Sequence, residues 1–144
     1  MKRFIQLICL LLILSSILGV SASAVEEIQP WGSNYFGSRL GYLIKTSTTQ
    51  FQIWFEVTSM STMLELGTSE IVVQRSTDES NWSDMMTFYK SAYTQMTGNN
   101  TADYQNYVSY TGTSGYYYRA KIWFYARNSN GTAEYSYTTG SIKL

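Results

Sequence analysis

Between Tyr117 and Arg127 the chain keeps two kinds of side chain strictly apart: Tyr118, Ala120, Ile122, Phe124 and Ala126 alternate with Tyr117, Arg119, Lys121, Trp123, Tyr125 and Arg127. A period of two separates these sets onto opposite faces of an extended chain, whereas a helix would mix them. The run is read as a strand with one buried and one outward face. Phe51, Ile53, Phe55 and Val57 repeat the pattern against Gln52, Trp54, Glu56 and Thr58. Tyrosine is the commonest large residue, and the single proline, Pro30, precedes the patterned region. Aromatic and β-branched side chains suit a pleated, half-buried surface.

Turn signals divide the remainder at regular intervals. Leu40, Tyr42 and Ile44 read as a strand whose apolar residues face inward, joined to the Phe51 strand through residues 47–50. Residues 58–68 place Met60, Met63 and Leu64 at one-turn spacing and end at Gly67, which predicts a short helical crossing with methionines plugging the core. Residues 70–76 and 82–90, joined by the polar Thr77-Asp78-Glu79-Ser80-Asn81, form a second hairpin. Residues 91–103 read as the longest loop, turning at Gly98-Asn99-Asn100. Strands follow at 104–111, with Val108 and Tyr110 inward, and at 133–139, with a hairpin turn at Asn130-Gly131. About seven strands and no helix of consequence predict an all-β, antiparallel two-sheet sandwich. The expected inward set is Leu40, Tyr42, Ile44, Phe51, Ile53, Phe55, Val57, Ile71, Val73, Val108, Ala120, Ile122, Phe124 and Ala126.

The start of the chain has another character. Lys2 and Arg3 precede an apolar stretch, and Ala22-Ser23-Ala24 supplies the small side chains of a cleavage site. This predicts an export signal over residues 1–24, an N-terminal extension over 25–38 and a β-domain over 39–144, hence a secreted, extracellular protein. A retained anchor is the rival reading, because apolar character continues weakly through Val20. Cleavage would remove the only cysteine, Cys9, and leave eight basic against ten acidic residues, a charge of about −2. Such a domain has no disulfide and rests on its core. It also lacks the basic stripe that nucleic acid requires.

The run Gly115-Tyr116-Tyr117-Tyr118-Arg119-Ala120-Lys121-Ile122-Trp123-Phe124-Tyr125-Ala126-Arg127-Asn128, followed by Asn130-Gly131, resembles the last hairpin of fibronectin type III and immunoglobulin-like domains. The wider pattern includes Tyr35-Phe36, Ile71-Val72-Val73 before Trp82, and Val108-Ser109-Tyr110-Thr111-Gly112. It is similar to small secreted single-domain proteins of Gram-positive bacteria, a family without an assigned function. The resemblance implies a bacterial, exported, single-domain protein and brings no catalytic or binding residue with it. The Cys-Trp-Cys core of antibody domains is absent.

Most catalytic mechanisms lack their residues here. There is no histidine, so Ser-His-Asp and Cys-His nucleophiles, and zinc held by imidazole or thiolate, are excluded after cleavage. Phosphate-cradling glycine loops are missing. Carboxylates remain, and Glu56 is the one placed in the middle of a clearly alternating strand, where solvation is the ordinary role. Asp78, Glu79, Asn81 and Asp84 have the oxygens that calcium takes, but Asp and Asn are also ordinary turn residues. Asn81, Asn99 and Asn130 lie in Asn-x-Ser/Thr sequons, read as chance in an Asn/Ser/Thr-rich chain.

The expectation is a non-enzyme without cofactor or metal. Its candidate ligand-binding residues are Tyr117, Arg119, Trp123 and Tyr125 on the outward row of the long strand. Flat aromatic faces suit a protein partner or a cell-surface glycan, while cation–π packing within the row would equally account for it. The residues 91–103 loop is a second possible contact region. A secreted effector, a bacteriocin-like toxin or its immunity partner, is the alternative role.

Overall fold

The computed structural model describes residues 35–144. The export signal, its cleavage site and the extension up to residue 34 lie outside the described residues. Among those described, no helix is long and apolar enough to cross a membrane.

Seven strands form one antiparallel sheet, curled into a half-barrel: β1 (Ser38–Lys45), β2 (Gln50–Ser76), β3 (Ser83–Tyr89), β4 (Thr97–Thr111), β5 (Tyr117–Asn128), β6 (Gly131–Thr138) and β7 (Ile142–Lys143). The 27-residue β2 is its spine. The N-terminal half of β2 lies between β1 and β4, with Tyr42 and Tyr107 both opposite Trp54. Its C-terminal half lies between β3 and β5, with Ile71 opposite both Phe88 and Ile122. β6 continues the sheet beyond β5, and β7 pairs with Tyr117 and Tyr118.

Residues 58–68 are therefore strand, not the expected helical crossing. The β4 register shifts between Thr58 and Met63, and the β5 register shifts between Thr68 and Glu70. Extra residues on one strand bend and twist it, so the curl of the sheet follows from irregularities within β2. Of the two methionines expected to plug the core only Met63 does so; Met60 is 74% exposed, and the neighbouring Leu64 43%. The 91–103 loop is likewise shorter than expected. A 3-10 turn at Thr94–Met96 leads directly into β4, whose residues 97–101 pair with 63–67 of β2.

The core is built from the alternating residues. Phe51, Ile53, Phe55, Val57, Ile71, Val73, Val108, Ala120, Ile122, Phe124 and Ala126 are all buried, joined by Met63, Leu66, Phe88, Met96 and Tyr118. Phe51 meets Tyr118 with ring centroids 5.3 Å apart, and the Tyr118 hydroxyl donates to the Thr113 carbonyl and accepts from the Thr113 amide. Among the described residues every buried side-chain polar atom has a hydrogen-bond partner, as a low-dielectric interior requires.

β1 corrects the inward set. Leu40 and Ile44 are 48% and 41% exposed, Tyr42 is half-buried on the same outward side, and Gly41 and Leu43 face the core instead. A Cβ on residue 41 would lie 2.5 Å from Ile122 Cδ1 and 3.2 Å from the Tyr137 ring. The inward face of β1 comes so close to β5 and β6 that a side chain at its centre would have to displace those of Ile122 and Tyr137. Because the side-chain period is two, that one constraint sends Leu40, Tyr42 and Ile44 outward.

Candidate functional site

Two outward surfaces carry aromatic side chains. The first, on β5, holds the expected binding residues. Here Tyr117, Arg119 and Trp123 are partly exposed and Tyr125 is 8% exposed. Four of the cations near the row, Lys90, Arg119, Arg127 and Lys143, have an aromatic face or a carboxylate. The Arg119 guanidinium lies 4.2 Å from the Trp82 ring centroid, and its Nε donates to Gln74 at 2.8 Å. Gln74 in turn donates to Asp84 at 2.6 Å. Lys143 sits over Tyr117 at 4.9 Å and Lys90 over Tyr125 at 3.5 Å. The row is thus drawn together by contacts within the protein, and Trp123 stands between them with Glu70 and Ser136 opposite it.

Glu65 completes this surface from β2. It accepts from Lys90 at 3.0 Å and from Arg127 at 3.3 Å. Burial alone would raise its carboxyl, but hydrogen bonds from Lys90, Thr97 and Arg127, with the Lys90 charge, outweigh that and hold its pKa below the ordinary 4.5. A carboxylate whose pKa is lower in the folded state contributes stability above its unfolded pKa and loses it as pH falls through the folded value. Glu65→Gln is accordingly expected to destabilise by about 1 kcal/mol at neutral pH, as for partly exposed ion pairs. The difference from wild type should shrink as pH falls below the ordinary 4.5, which urea titrations at several pH values would read.

The second surface lies on β1, β2 and β4 and was missed as a unit. Tyr42, Trp54 and Tyr107 stand side by side in cross-strand register. The Tyr42 and Trp54 rings are parallel within 4°, centroids 6.3 Å apart, and Trp54 meets Tyr107 at 4.8 Å. Hydrogen bonds fix two of the rings: Trp54 Nε1 donates to Gln52 at 2.9 Å and the Tyr42 hydroxyl to Glu56 at 2.8 Å. Donation to Glu56, with burial and the nearby negative charge, holds the Tyr42 hydroxyl above its ordinary pKa of 10.0. The register brackets the aromatic row on both sides, with Leu40, Glu56 and Gln105 along one flank and Ile44, Gln52 and Ser109 along the other. Trp54 and Glu56 were legible as outward residues, but their neighbours depend on strand pairing.

The turn carboxylates are otherwise engaged. Asp78 accepts from the backbone N–H groups of Asn81 and Ser80, the Asn81 side chain and the Ser76 hydroxyl, which together hold it well below the usual carboxylate range. Asp84 is bonded to Gln74, and Glu79 accepts from the Ser141 hydroxyl. Among the described residues no group of three or more His, Cys, Asp or Glu side chains could hold a metal ion.

The chain matches no family model and no curated protein.

Proposed function

We propose that this is an exported, non-catalytic β-domain that binds a protein or a cell-surface component through the outward face of β1, β2 and β4. The observation that supports this reading is the Tyr42–Trp54–Tyr107 row, in ring contact across three strands and flanked by the exposed Leu40 and Ile44. Hydrogen bonds already hold Tyr42 and Trp54, so little side-chain freedom remains to be lost on association. In the β5 row, by contrast, cations pack on Tyr117 and Tyr125, and Arg119 packs on Trp82. Export is supported by the basic, apolar and small-residue succession at residues 2–24.

A kinship of the curled sheet with immunoglobulin-like and fibronectin type III sandwiches belongs to the same proposal. It is supported by the way Phe51, from one half of β2, packs on Tyr118 of β5 across the core, as facing layers do.

The test is retention of the labelled protein by intact bacterial cells and isolated peptidoglycan. Wild type should be retained saturably, Trp123→Ala should match it, and Trp54→Ala should bind at least about tenfold more weakly, as expected at the centre of a contact. Loss confined to Trp123→Ala would move the site to the β5 row. No retention of any form would remove the reading.

A further inference from the structure

The hydrogen-bonding rows beside the aromatic row narrow the class of ligand. Across the face the outward residues run Leu40–Glu56–Gln105, then Tyr42–Trp54–Tyr107, then Ile44–Gln52–Ser109. These nine positions include one carboxylate and no lysine or arginine. An anionic polymer would meet Glu56 without a cation to offset it, and such polymers are bound through positive charge. A cation would find a single carboxylate already engaged by the Tyr42 hydroxyl.

A protein partner fits less well. An interface of stable size would have to cover both flanks, burying the Glu56 carboxylate and the Gln52 and Gln105 amides, each of which then needs a matched partner. Ring hydroxyls on a sugar supply such partners along both edges of an apolar face. The internal hydrogen bonds use one oxygen of Glu56 and the side-chain carbonyl of Gln52. Its other oxygen can accept from a hydroxyl and the Gln52 amide N–H groups can donate to one.

We propose that this face binds a neutral polysaccharide, laid along the Tyr42–Trp54–Tyr107 row with its C–H faces on the rings and its hydroxyls meeting Glu56, Gln105, Gln52 and Ser109. The assignment rests on the binding-module reading and adds the ligand class. Three neighbouring strands set the row about 10 Å long at sheet spacing, so the ligand is a short stretch of chain rather than one sugar.

The probes are short neutral oligosaccharides of α-linked glucose, β-linked glucose, mannose and N-acetylglucosamine, with an anionic polyuronate for comparison. Tryptophan fluorescence and titration calorimetry follow binding. At least one neutral oligosaccharide should bind with an affinity that barely changes with salt. Trp54→Ala and Tyr107→Ala should weaken it at least about tenfold, Trp54→Phe should recover much of the loss, and Trp123→Ala should have no effect. The Trp54→Ala fold is verified by near-ultraviolet circular dichroism. If cells retain the protein through Trp54 but no neutral oligosaccharide binds, the ligand class is wrong and the module reading stands. Preference for the polyuronate, strengthened by Glu56→Gln and weakened by salt, would also overturn the neutral class. If neither cells nor oligosaccharides bind, both readings fall.

Discussion

Gly67→Ala is expected to destabilise the fold by about 3 kcal/mol or more, at the upper end of what overpacking costs, and to lower the melting temperature by on the order of 10 °C. Gly67 sits where β2 is paired on both edges, opposite Thr97 of β4 and Tyr125 of β5. A Cβ there would lie 2.1 Å from the Met96 carbonyl oxygen and 2.8 Å from the Thr97 Cα. Both obstacles are backbone, held by the 3-10 turn and the start of β4, so no side chain can swing aside to relieve the contact. The alanine would have to displace the 90–97 connection or open the β2–β4 pairing. Gly140→Ala is the control, since nothing lies within 4 Å of a Cβ at that position. It should be neutral or slightly stabilising, because alanine restricts the unfolded chain. Thermal unfolding of both variants followed by circular dichroism checks the pair. Equal melting temperatures would mean that the connection yields easily and does not constrain β2.

The same glycine shows what the sequence could and could not convey. Near it, Met60, Met63 and Leu64 have helical spacing, and Ser59, Ser61 and Thr62 interrupt any alternation. Strand is adopted there because β4 and β5 supply partners from 30 or more residues further along, information that local propensity does not hold. Gly98-Asn99-Asn100 reads as a turn for the same reason, and Asn100 does have a positive φ of 51°, yet the segment is held in β4 by pairing with β2. Where alternation was long, as in 51–57 and 117–127, every predicted inward residue is buried. In β1 the alternation was real and its direction was not legible, because an apolar row can face either way. Gly41 carried the clue, as the one residue of β1 without a side chain.

That ambiguity hid the candidate site. Trp54 was recognisable as outward, but Tyr42 was assigned to the core and Tyr107 had no assigned neighbour. The row exists only once β1 and β4 are placed in register on either side of β2. Conversely, the β5 row was visible in full because it lies on one strand. Its partners Trp82, Lys90 and Lys143 come from elsewhere in the chain, and they turn it into a surface packed against itself.

Two adjacent residues separate packing from surface. Phe55 is fully buried on the inner face of β2, with its ring 6.3 Å from that of Tyr104, and Phe55→Ala is expected to cost about 3–5 kcal/mol through lost burial and a residual cavity. Trp54 lies one position earlier and faces outward, where its ring contacts are with Tyr42 and Tyr107. Trp54→Ala should cost only about 1 kcal/mol, the scale of cross-strand aromatic pairs. Urea unfolding would show this as a large fall in midpoint for Phe55→Ala and a small one for Trp54→Ala, with the slope unchanged in both. The difference matters for function, because a Trp54→Ala protein that remains folded while losing its ligand would locate binding on the outer face. Equal costs at the two positions would instead make the aromatic row part of the fold's own packing, and any loss of binding in Trp54→Ala would follow from unfolding.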